Sequence, residues 1–321
     1  MTWVTWLQYR YQGALAAALL AVLAVLLLIT GLHAAQVWHS ALAGCAQARS
    51  CGSLPYSQLS LASPRVYGLV VATAAVPLLP GLFWGAPAAA HELETGTNQF
   101  AWTQSITRRR WLAVRAGWLL LAAAVLAGAV SALVTWWSGP DNAMKHDAFQ
   151  LNRFDVTGIV PVGYAIFAMA LGICAGLLLR RTLPALAVTL AGFITLRALI
   201  AGLRPHFMTP VTVYFKLTAP FAAPPNGSYL ALSQGTAGPP GQPSPTYLSG
   251  YVFNGGSIPA VCRNFLQNPG PCMAAHGYRT YLTYQPASRF WPFQGIETGI
   301  FVVLAAVLIG ITFWVLKRRD A

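Results

Sequence analysis

Six apolar stretches, each long enough to cross a lipid bilayer as a helix, constrain the fold of this chain more than any other feature. A helix needs about 20 apolar residues to cross about 30 Å of hydrocarbon. The sequence predicts these spans at residues 13–35, 66–84, 112–137, 158–179, 184–203 and 298–316. Charged residues make up only 8% of the chain, far fewer than a soluble domain carries. We therefore predict an all-α polytopic membrane protein with six transmembrane helices.

The distribution of Lys and Arg predicts that both chain ends lie in the cytoplasm. With the N-terminus inside, the inner segments are 1–12, 85–111, 180–183 and 317–321. Basic residues in these segments are roughly three times denser than in the outer segments 36–65, 138–157 and 204–297. Arg greatly outnumbers Lys and Ala is abundant, which is typical of a GC-rich bacterial genome. We therefore place the chain as a multi-pass protein in a bacterial cytoplasmic (inner) membrane.

Cysteine positions agree with this topology. Cys45 and Cys51 lie in the first predicted outer segment, and Cys262 and Cys272 lie in the last one. Disulfides persist outside the cytoplasm, so these four residues are expected on the oxidising side. Four cysteines allow three connectivities. We favour the local pairs, 45–51 and 262–272, because each closes a short loop, and four unpaired thiols are the alternative.

Segment 204–297 is predicted to be a small extracellular domain or a long loop. Its part from Ala219 to Pro245 is rich in Pro, Gly and Ser, which predicts irregular structure there. The remaining organisation follows from the spans. Residues 13–203 hold the first five transmembrane helices, and residues 298–321 hold the sixth helix with a basic cytoplasmic tail.

Motifs for catalysis and metal binding are missing from the sequence. His91 and Glu92 begin like a zinc-protease helix, but Thr95 stands where the second histidine would be. There is no Gly-x-Ser-x-Gly turn and no phosphate-binding loop, and the histidines lack metal-ligand spacing. We therefore predict no catalytic residue, metal or cofactor in this chain. The basic residues are scattered, which argues against a nucleic-acid partner.

Two charged residues lie at or inside predicted spans. Arg197 is about two helical turns from the outer end of the fifth span, where a charge costs about 1–3 kcal/mol unless it meets a partner or water. Glu297, at the outer start of the sixth span, is a candidate partner. The sequence leaves two interpretations open. Arg197 forms a structural pair or reaches the interface, or it lines a substrate path.

Small residues and prolines predict local features of the spans. Gly172 and Gly176 form a small-xxx-small pattern that allows a close helix contact. Pro77 and Pro80 predict a kink or break in the second span. At the N-terminus, residues 1–12 predict an amphipathic helix in the inner interface, because Trp3, Trp6, Leu7 and Arg10 recur at positions i, i+3, i+4 and i+7. A mere membrane anchor is the alternative.

The longest inner segment, 85–111, is the most informative one. Glu92 and Glu94 precede Thr95-Gly96-Thr97, which predicts a cap or turn before a short helix. Phe100 and Trp102 offer apolar contacts. Three arginines, Arg108 to Arg110, suit a helix C-terminus and anionic lipid head groups. We predict a short polar helix held against the membrane, and a solvated connector with stop-transfer arginines is the alternative.

This segment resembles the loop between the second and third spans of ABC-2-like permeases, the six-span ABC exporters of the second export type. That loop commonly reads Glu-x-Glu-x-Gly-Thr and, further along, Pro-hydrophobic-Ser/Thr-Arg. The matching residues here are Glu92, Glu94, Gly96, Thr97, Ile106, Thr107 and Arg108. Ser105 stands at the Pro position. The phrase from Glu92 to Trp111 is most similar to actinobacterial members, and Arg204-Pro205-His206 adds to the likeness.

The resemblance implies a coupling helix that docks on a separate ATPase. Its residues would be Glu92, Glu94, Gly96, Thr97, Phe100, Trp102 and Arg108. The implied partners are cytosolic ABC ATPase subunits, which carry ATP and Mg, a second permease copy, and the lipid bilayer. The implied function is export of a hydrophobic or amphipathic substrate by alternating access. The alternative, from another class, is a membrane sensor or assembly protein whose extracellular domain, 204–297, binds a ligand.

Overall fold

The computed structural model of the protein describes residues 2–48, 68, 72–94, 108–145, 149, 151–216, 229–238, 261–262 and 270–318. It divides into two compact units. The transmembrane unit contains residues 1–144, 151–202 and 291–321, and the sheet unit contains residues 145–150 and 203–290. Each unit is described by itself.

Helices make up nearly all of the described transmembrane unit. In chain order, the α-helices of the described residues are α1 (Thr2–Ala48), α2 (Ala86–Glu94), α3 (Arg108–Lys145), α4 (Leu151–Phe154), α5 (Val160–Leu179), α6 (Thr182–Leu203), α7 (Gly270–Ala275) and α8 (Phe290–Arg318). Within the described ranges, five of them, α1, α3, α5, α6 and α8, are long and apolar enough to cross a membrane. Large apolar side chains such as Ile29 and Val125, each 63% exposed, suit contact with lipid.

Three spanning helices, α1, α3 and α8, extend well beyond their predicted ends. α1 is a single helix of 47 residues, so the predicted amphipathic helix 1–12 continues directly into the first span. Cys45 therefore lies in α1 and not in a loop. α8 starts at Phe290, which places Glu297 two turns inside the helix and not at its start. The aromatic residues between 290 and 293 explain the extension, because they continue the apolar pattern ahead of Glu297.

The predicted second span, 66–84, falls partly outside the described residues, and its described part is broken. A 3₁₀ turn occupies Val76–Leu78 and a π-helical segment occupies Gly81–Gly85. Pro77 and Pro80 lie within and between these irregular turns, and proline cannot donate a backbone hydrogen bond. α2 then follows without a gap, so the first residues of the predicted loop 85–111 are helical through Glu94.

The break matters because it allows a very close contact with α5. A Cβ atom added to Gly172 would lie 2.4 Å from the carbonyl oxygen of Gly81, and one added to Gly176 would lie 2.5 Å from that of Ala86. Gly172 and Gly176 of α5 thus pack directly against the backbone of the π-helical segment and the start of α2. Around this contact, apolar side chains of α2, α3, α5 and α8 form the core, including Leu119, Met169 and Leu316.

The sheet unit corrects the all-α expectation. It contains a three-stranded antiparallel sheet of β1 (Val211–Lys216), β2 (Leu230–Ala237) and β3 (Arg279–Gln285), in the order β1-β3-β2. β-branched and aromatic residues dominate β1 and β3, as is typical of strands. β2 lies inside Ala219–Pro245, which we predicted to be irregular. The register gives β2 a partner strand, and this long-range pairing is invisible in local composition.

Candidate functional site

A buried polar cluster lies inside the transmembrane unit, one to two turns from one end of the spans. We define the polar cluster as Asp155, Tyr164, Arg197, Gln294 and Glu297. At 1.5 Å per residue, Tyr164 lies about 6 Å from the start of α5, and Glu297 lies about 10 Å from the start of α8. Tyr164, Gln294 and Glu297 are each 0% exposed. Convergent polar groups at such a position are the usual mark of function in a membrane protein.

Gln294 holds the turn that enters α5. Its Oε1 accepts hydrogen bonds from the backbone N–H groups of Ile159, at 3.0 Å, and Val160, at 2.9 Å. Its Nε2 donates to the carbonyl oxygen of Phe154 at 3.0 Å. The first N–H groups of a helix have no partner within the helix, so a side chain of α8 here caps α5. These hydrogen bonds replace those that water would make to the backbone groups in a less apolar environment.

The same turn requires a glycine and is also held from α3. Gly158 has φ of 71°, and a Cβ atom there would lie 2.7 Å from Oε1 of Gln294. The Gly158 carbonyl accepts a hydrogen bond from Ser131 Oγ at 2.6 Å, and its N–H donates to Thr135 Oγ1 at 3.1 Å. The turn is therefore fixed by two helices, α3 and α8, and it carries Asp155 into the interior.

Arg197 of α6 pairs with Asp155. Its Nη2 lies 3.0 Å from Asp155 Oδ2, and its Nη1 donates to the carbonyl oxygen of Ala74 at 3.0 Å. The guanidinium carbon lies 5.0 Å from the centroid of the Tyr164 ring. A carboxylate, a carbonyl and an aromatic face together offset the cost of removing the cation from water.

Tyr164 connects this ion pair to Glu297. Its hydroxyl oxygen lies 2.5 Å from Glu297 Oε1 and 3.3 Å from Asp155 Oδ1. A tyrosine hydroxyl carries a single proton, so it donates to one of the two carboxylates at a time. Phe193 and Phe301 make edge contacts with the Tyr164 ring, at centroid distances of 6.1 and 4.8 Å, and exclude water from it. The polar cluster thus joins α5, α6, α8 and the turn before α5.

Arg197 and Glu297 were predicted from the sequence, whereas the residues that connect them were not. We proposed Glu297 as the partner of Arg197, whereas the ion pair forms with Asp155, and Glu297 receives the Tyr164 hydroxyl. A signal for Asp155 exists in the sequence. It is one of only 7 acidic residues in the chain and stands just ahead of an apolar run. Tyr164 and Gln294 carry no such signal.

At the opposite end of α6, Glu94 binds the start of the helix. Its Oε2 accepts a hydrogen bond from Thr182 Oγ1 at 2.8 Å and one from the Thr182 N–H at 3.3 Å. A carboxylate at a helix N-terminus is favourable because the first N–H groups and the helix dipole face it. Of the other predicted coupling residues, Glu92 lies in α2 and Arg108 begins α3. Gly96, Thr97, Phe100 and Trp102 lie outside the described residues.

The two described cysteines of the sheet unit have a structural role. Cys262 and Cys272 form a disulfide with an S–S distance of 2.03 Å, and Met273 and Tyr278 pack around it. Among the described residues, His276 is the histidine near these sulfurs. Because both sulfurs are bonded to each other, they are not available as thiolate ligands. Cys51 and the side chain of Cys45 lie outside the described residues.

Comparison with known families agrees with these features. The model of the family described as ABC-2 membrane transporter related matches residues 17–204, more than half of the chain. The chain belongs to this family. No curated protein and no solved structure matches it.

Membership in the ABC-2 family implies a multi-pass membrane subunit of an ABC transporter, associated with an ABC ATPase subunit, and not an enzyme in itself. The match covers α1 to α6, and therefore both Glu94 and the Arg197–Asp155 pair. The sheet unit after residue 204 and α8, with Gln294 and Glu297, follow the matched region.

Proposed function

We propose that this chain is the six-span permease subunit of an ATP-driven exporter in the cytoplasmic membrane of an actinobacterium, with both chain ends inside. Two copies would pair, and two cytosolic ATPase subunits carrying ATP and Mg would bind at their inner ends. The cargo in this proposal is hydrophobic or amphipathic, because the large side chains that the spans expose are mainly Leu, Val and Ile. In this proposal, the permease moves the cargo across the membrane by alternating access.

The observation that carries the proposal is the hydrogen bonding of Glu94 to Thr182. Glu94 ends α2, and Thr182 begins α6. α2 also packs against α5 backbone to backbone, at Gly176. A force applied to the residues after Glu94 is therefore transmitted to α5 and α6 together. This is what a segment that couples an ATPase to the spans requires.

The far end of α6 carries the second element of the proposed mechanism. Arg197 lies 15 residues after Thr182, which corresponds to about 22 Å along the helix. A shift or tilt of α6 moves the guanidinium relative to Asp155 and Tyr164, which belong to other elements. In the proposed cycle, ATP favours one of two states by differential affinity, and the polar cluster changes its contacts between the states.

The test is co-purification of the ATPase. We would solubilise the tagged chain from its native membranes in mild detergent and identify, by mass spectrometry, a co-purifying protein with a phosphate-binding loop. Mg-ATP hydrolysis by the complex would then be measured. Replacing Glu94 by Lys reverses the charge at the proposed contact. We expect at least about tenfold less bound ATPase, since a like-charge contact costs several kcal/mol and each 1.4 kcal/mol is about tenfold in affinity.

Asp320→Lys is the matched control. It makes the same charge change in the cytoplasmic tail, outside the motif, and should leave ATPase binding unchanged. Size-exclusion profiles must be equal for both variants, so that misfolding of Glu94→Lys is excluded. A well-folded chain that co-purifies with no ATPase, or an ATPase whose binding ignores Glu94→Lys, would contradict the proposal. The first result would favour the sensor or assembly function.

A further inference from the structure

The sheet of the sheet unit has one covered face and one open face. Side chains alternate between the two faces along each strand. Leu282, at the centre of β3, points to the covered face and is 0% exposed. On the other face, Tyr214 of β1 is 57% exposed. We define the open face by the exposed or half-buried residues that share this side in register: Thr212, Tyr214, Lys216, Ser233, Arg279, Tyr281 and Thr283. Gly235 lies on the same side but is buried beneath the Tyr281 ring, and the buried Gln285 ends the open face on β3.

Two cations stand side by side at one end of the open face. Lys216 of β1 is directly opposite Arg279 of β3 in the register, and both are exposed. Directly opposite residues have Cβ atoms about 5 Å apart, and like charges there oppose folding of the sheet. A protein keeps such a pair at a cost to stability, and an anionic ligand removes that cost.

The sequence around the pair contains no compensating acid. From Arg204 to Ile296 there is no Asp or Glu, whereas five basic residues occur, Arg204, Lys216, Arg263, Arg279 and Arg289. With five cations and no carboxylate, this segment has a net positive charge that attracts anionic partners.

Two tyrosines continue the open face next to the cations. Tyr214 and Tyr281 are opposite in the register, and their ring centroids are 6.4 Å apart. The Tyr281 ring lies over Gly235, where a Cβ atom would come within 3.0 Å of Cε1. Glycine thus lets the ring lie along the sheet. An aromatic ring in this orientation offers its face to the C–H groups of a sugar ring.

A pair of hydroxyl groups completes the row. Thr212 Oγ1 and Thr283 Oγ1 are hydrogen-bonded to each other at 2.9 Å. Along the strands, cations, aromatic rings and hydroxyls follow one another over four residue steps, about 13 Å. Such a row matches an acidic sugar chain: the cations complement acid groups, the aromatic rings complement sugar rings, and the threonine hydroxyls complement sugar hydroxyls.

We propose that the open face binds an anionic polysaccharide, with Lys216 and Arg279 contacting its acid groups and Tyr214 and Tyr281 stacking on its sugar rings. A lipid surface suits the face less well, because the open face has no large aliphatic side chain that could enter hydrocarbon. The predicted topology places this unit outside the cell. The proposal does not depend on ATPase coupling.

The test uses the full chain in nanodiscs of phosphatidylcholine, which carries no net charge. The probes are dextran sulfate and neutral dextran of the same length, and binding is measured by interferometry near physiological ionic strength. We expect saturable binding of dextran sulfate and binding of dextran at least about tenfold weaker, since hydrogen bonds to charged groups are the stronger ones. Lys216→Gln with Arg279→Gln should weaken dextran sulfate binding about tenfold.

Two controls separate this site from general attraction to a basic protein. Lys317→Gln with Arg318→Gln removes the same charge from the end of α8, and should leave dextran sulfate binding unchanged. Tyr214→Ala should weaken dextran sulfate binding but not binding of inorganic polyphosphate, which has charge and no sugar ring. Equal unfolding temperatures, measured by tryptophan fluorescence, would verify that each variant is folded.

Three outcomes would overturn the proposal. If the Lys216/Arg279 double variant binds dextran sulfate with wild-type affinity, the two cations do not contribute to the site. If the Lys317/Arg318 variant loses as much affinity as the Lys216/Arg279 variant, binding depends on the total charge of the protein and not on the open face. Binding to phosphatidylglycerol vesicles with the same dependence on Tyr214 would assign the open face to a lipid surface instead.

Discussion

Replacing Gly172 by alanine adds one methyl group where α5 contacts the π-helical segment Gly81–Gly85. The new Cβ would lie 2.4 Å from the Gly81 carbonyl oxygen and 2.8 Å from the Ala86 nitrogen. Both are backbone atoms, so no side-chain rotation can relieve the overlap. The two elements must separate by about 1 Å to restore an ordinary van der Waals contact.

The expected loss of stability follows from two opposing effects. Overpacking a well-packed interior costs about 1–3 kcal/mol, and the upper end applies here because the clash involves backbone. Alanine in place of glycine within a helix returns about 1 kcal/mol. The net destabilisation is therefore about 1–2 kcal/mol, which lowers the unfolding temperature by about 2–8 °C for a unit of this size.

The assay is thermal unfolding of the purified protein in detergent, followed by tryptophan fluorescence. Gly310→Ala is the matched control, because among the described residues no atom apart from the neighbouring backbone of α8 lies within 4 Å of a Cβ at that position. We expect the control to be unchanged or slightly stabilised. If Gly172→Ala unfolds at the same temperature as Gly310→Ala, then α5 and the π-helical segment are not in backbone contact and the reasoning is refuted.

The remaining predictions concern the polar cluster and use the same unfolding assay. Asp155→Leu should lower the free energy of unfolding by up to about 3–5 kcal/mol, because it leaves the partly buried Arg197 without its carboxylate, and adding Arg197→Leu should recover much of the loss. Additive effects in the double variant would show that the two residues do not interact. Gln294→Leu should cost at least about 3 kcal/mol, since three backbone groups lose their partner. The neighbouring Thr298→Val is its control, because the Thr298 hydroxyl is buried without a hydrogen-bond partner among the described residues. Equal stability of these two variants would contradict the capping role.

Much of the helical architecture could be predicted because hydrocarbon solvent imposes one local requirement. Every spanning segment must satisfy its own backbone hydrogen bonds and present apolar side chains. Runs of about 20 apolar residues therefore locate α3, α5, α6 and α8 directly. The ends were less predictable. Interfacial residues such as Trp291 belong equally to a helix end or a loop by composition, and α8 includes them.

Strand pairing was not predictable in the same way. β2 has the Gly, Ser and Gln content of a loop, and it becomes a strand because β3 supplies its hydrogen-bonding partners across a long sequence separation. The same limit applies to the open face. Lys216 and Arg279 are 63 positions apart, and only the register places them opposite each other.

By itself, the sequence determined that the chain is a multi-pass membrane protein, located five of the six predicted spans, and supplied the short motif that resembles ABC-2 permeases. These properties depend on composition and local spacing. The tertiary structure alone decided which groups meet. Only the packed helices show that Asp155 pairs with Arg197, that Gln294 caps the N-terminus of α5, and that Glu94 binds Thr182. Such choices depend on helix packing, and in this unit the packing is set by the glycine contacts between α5 and the broken second span.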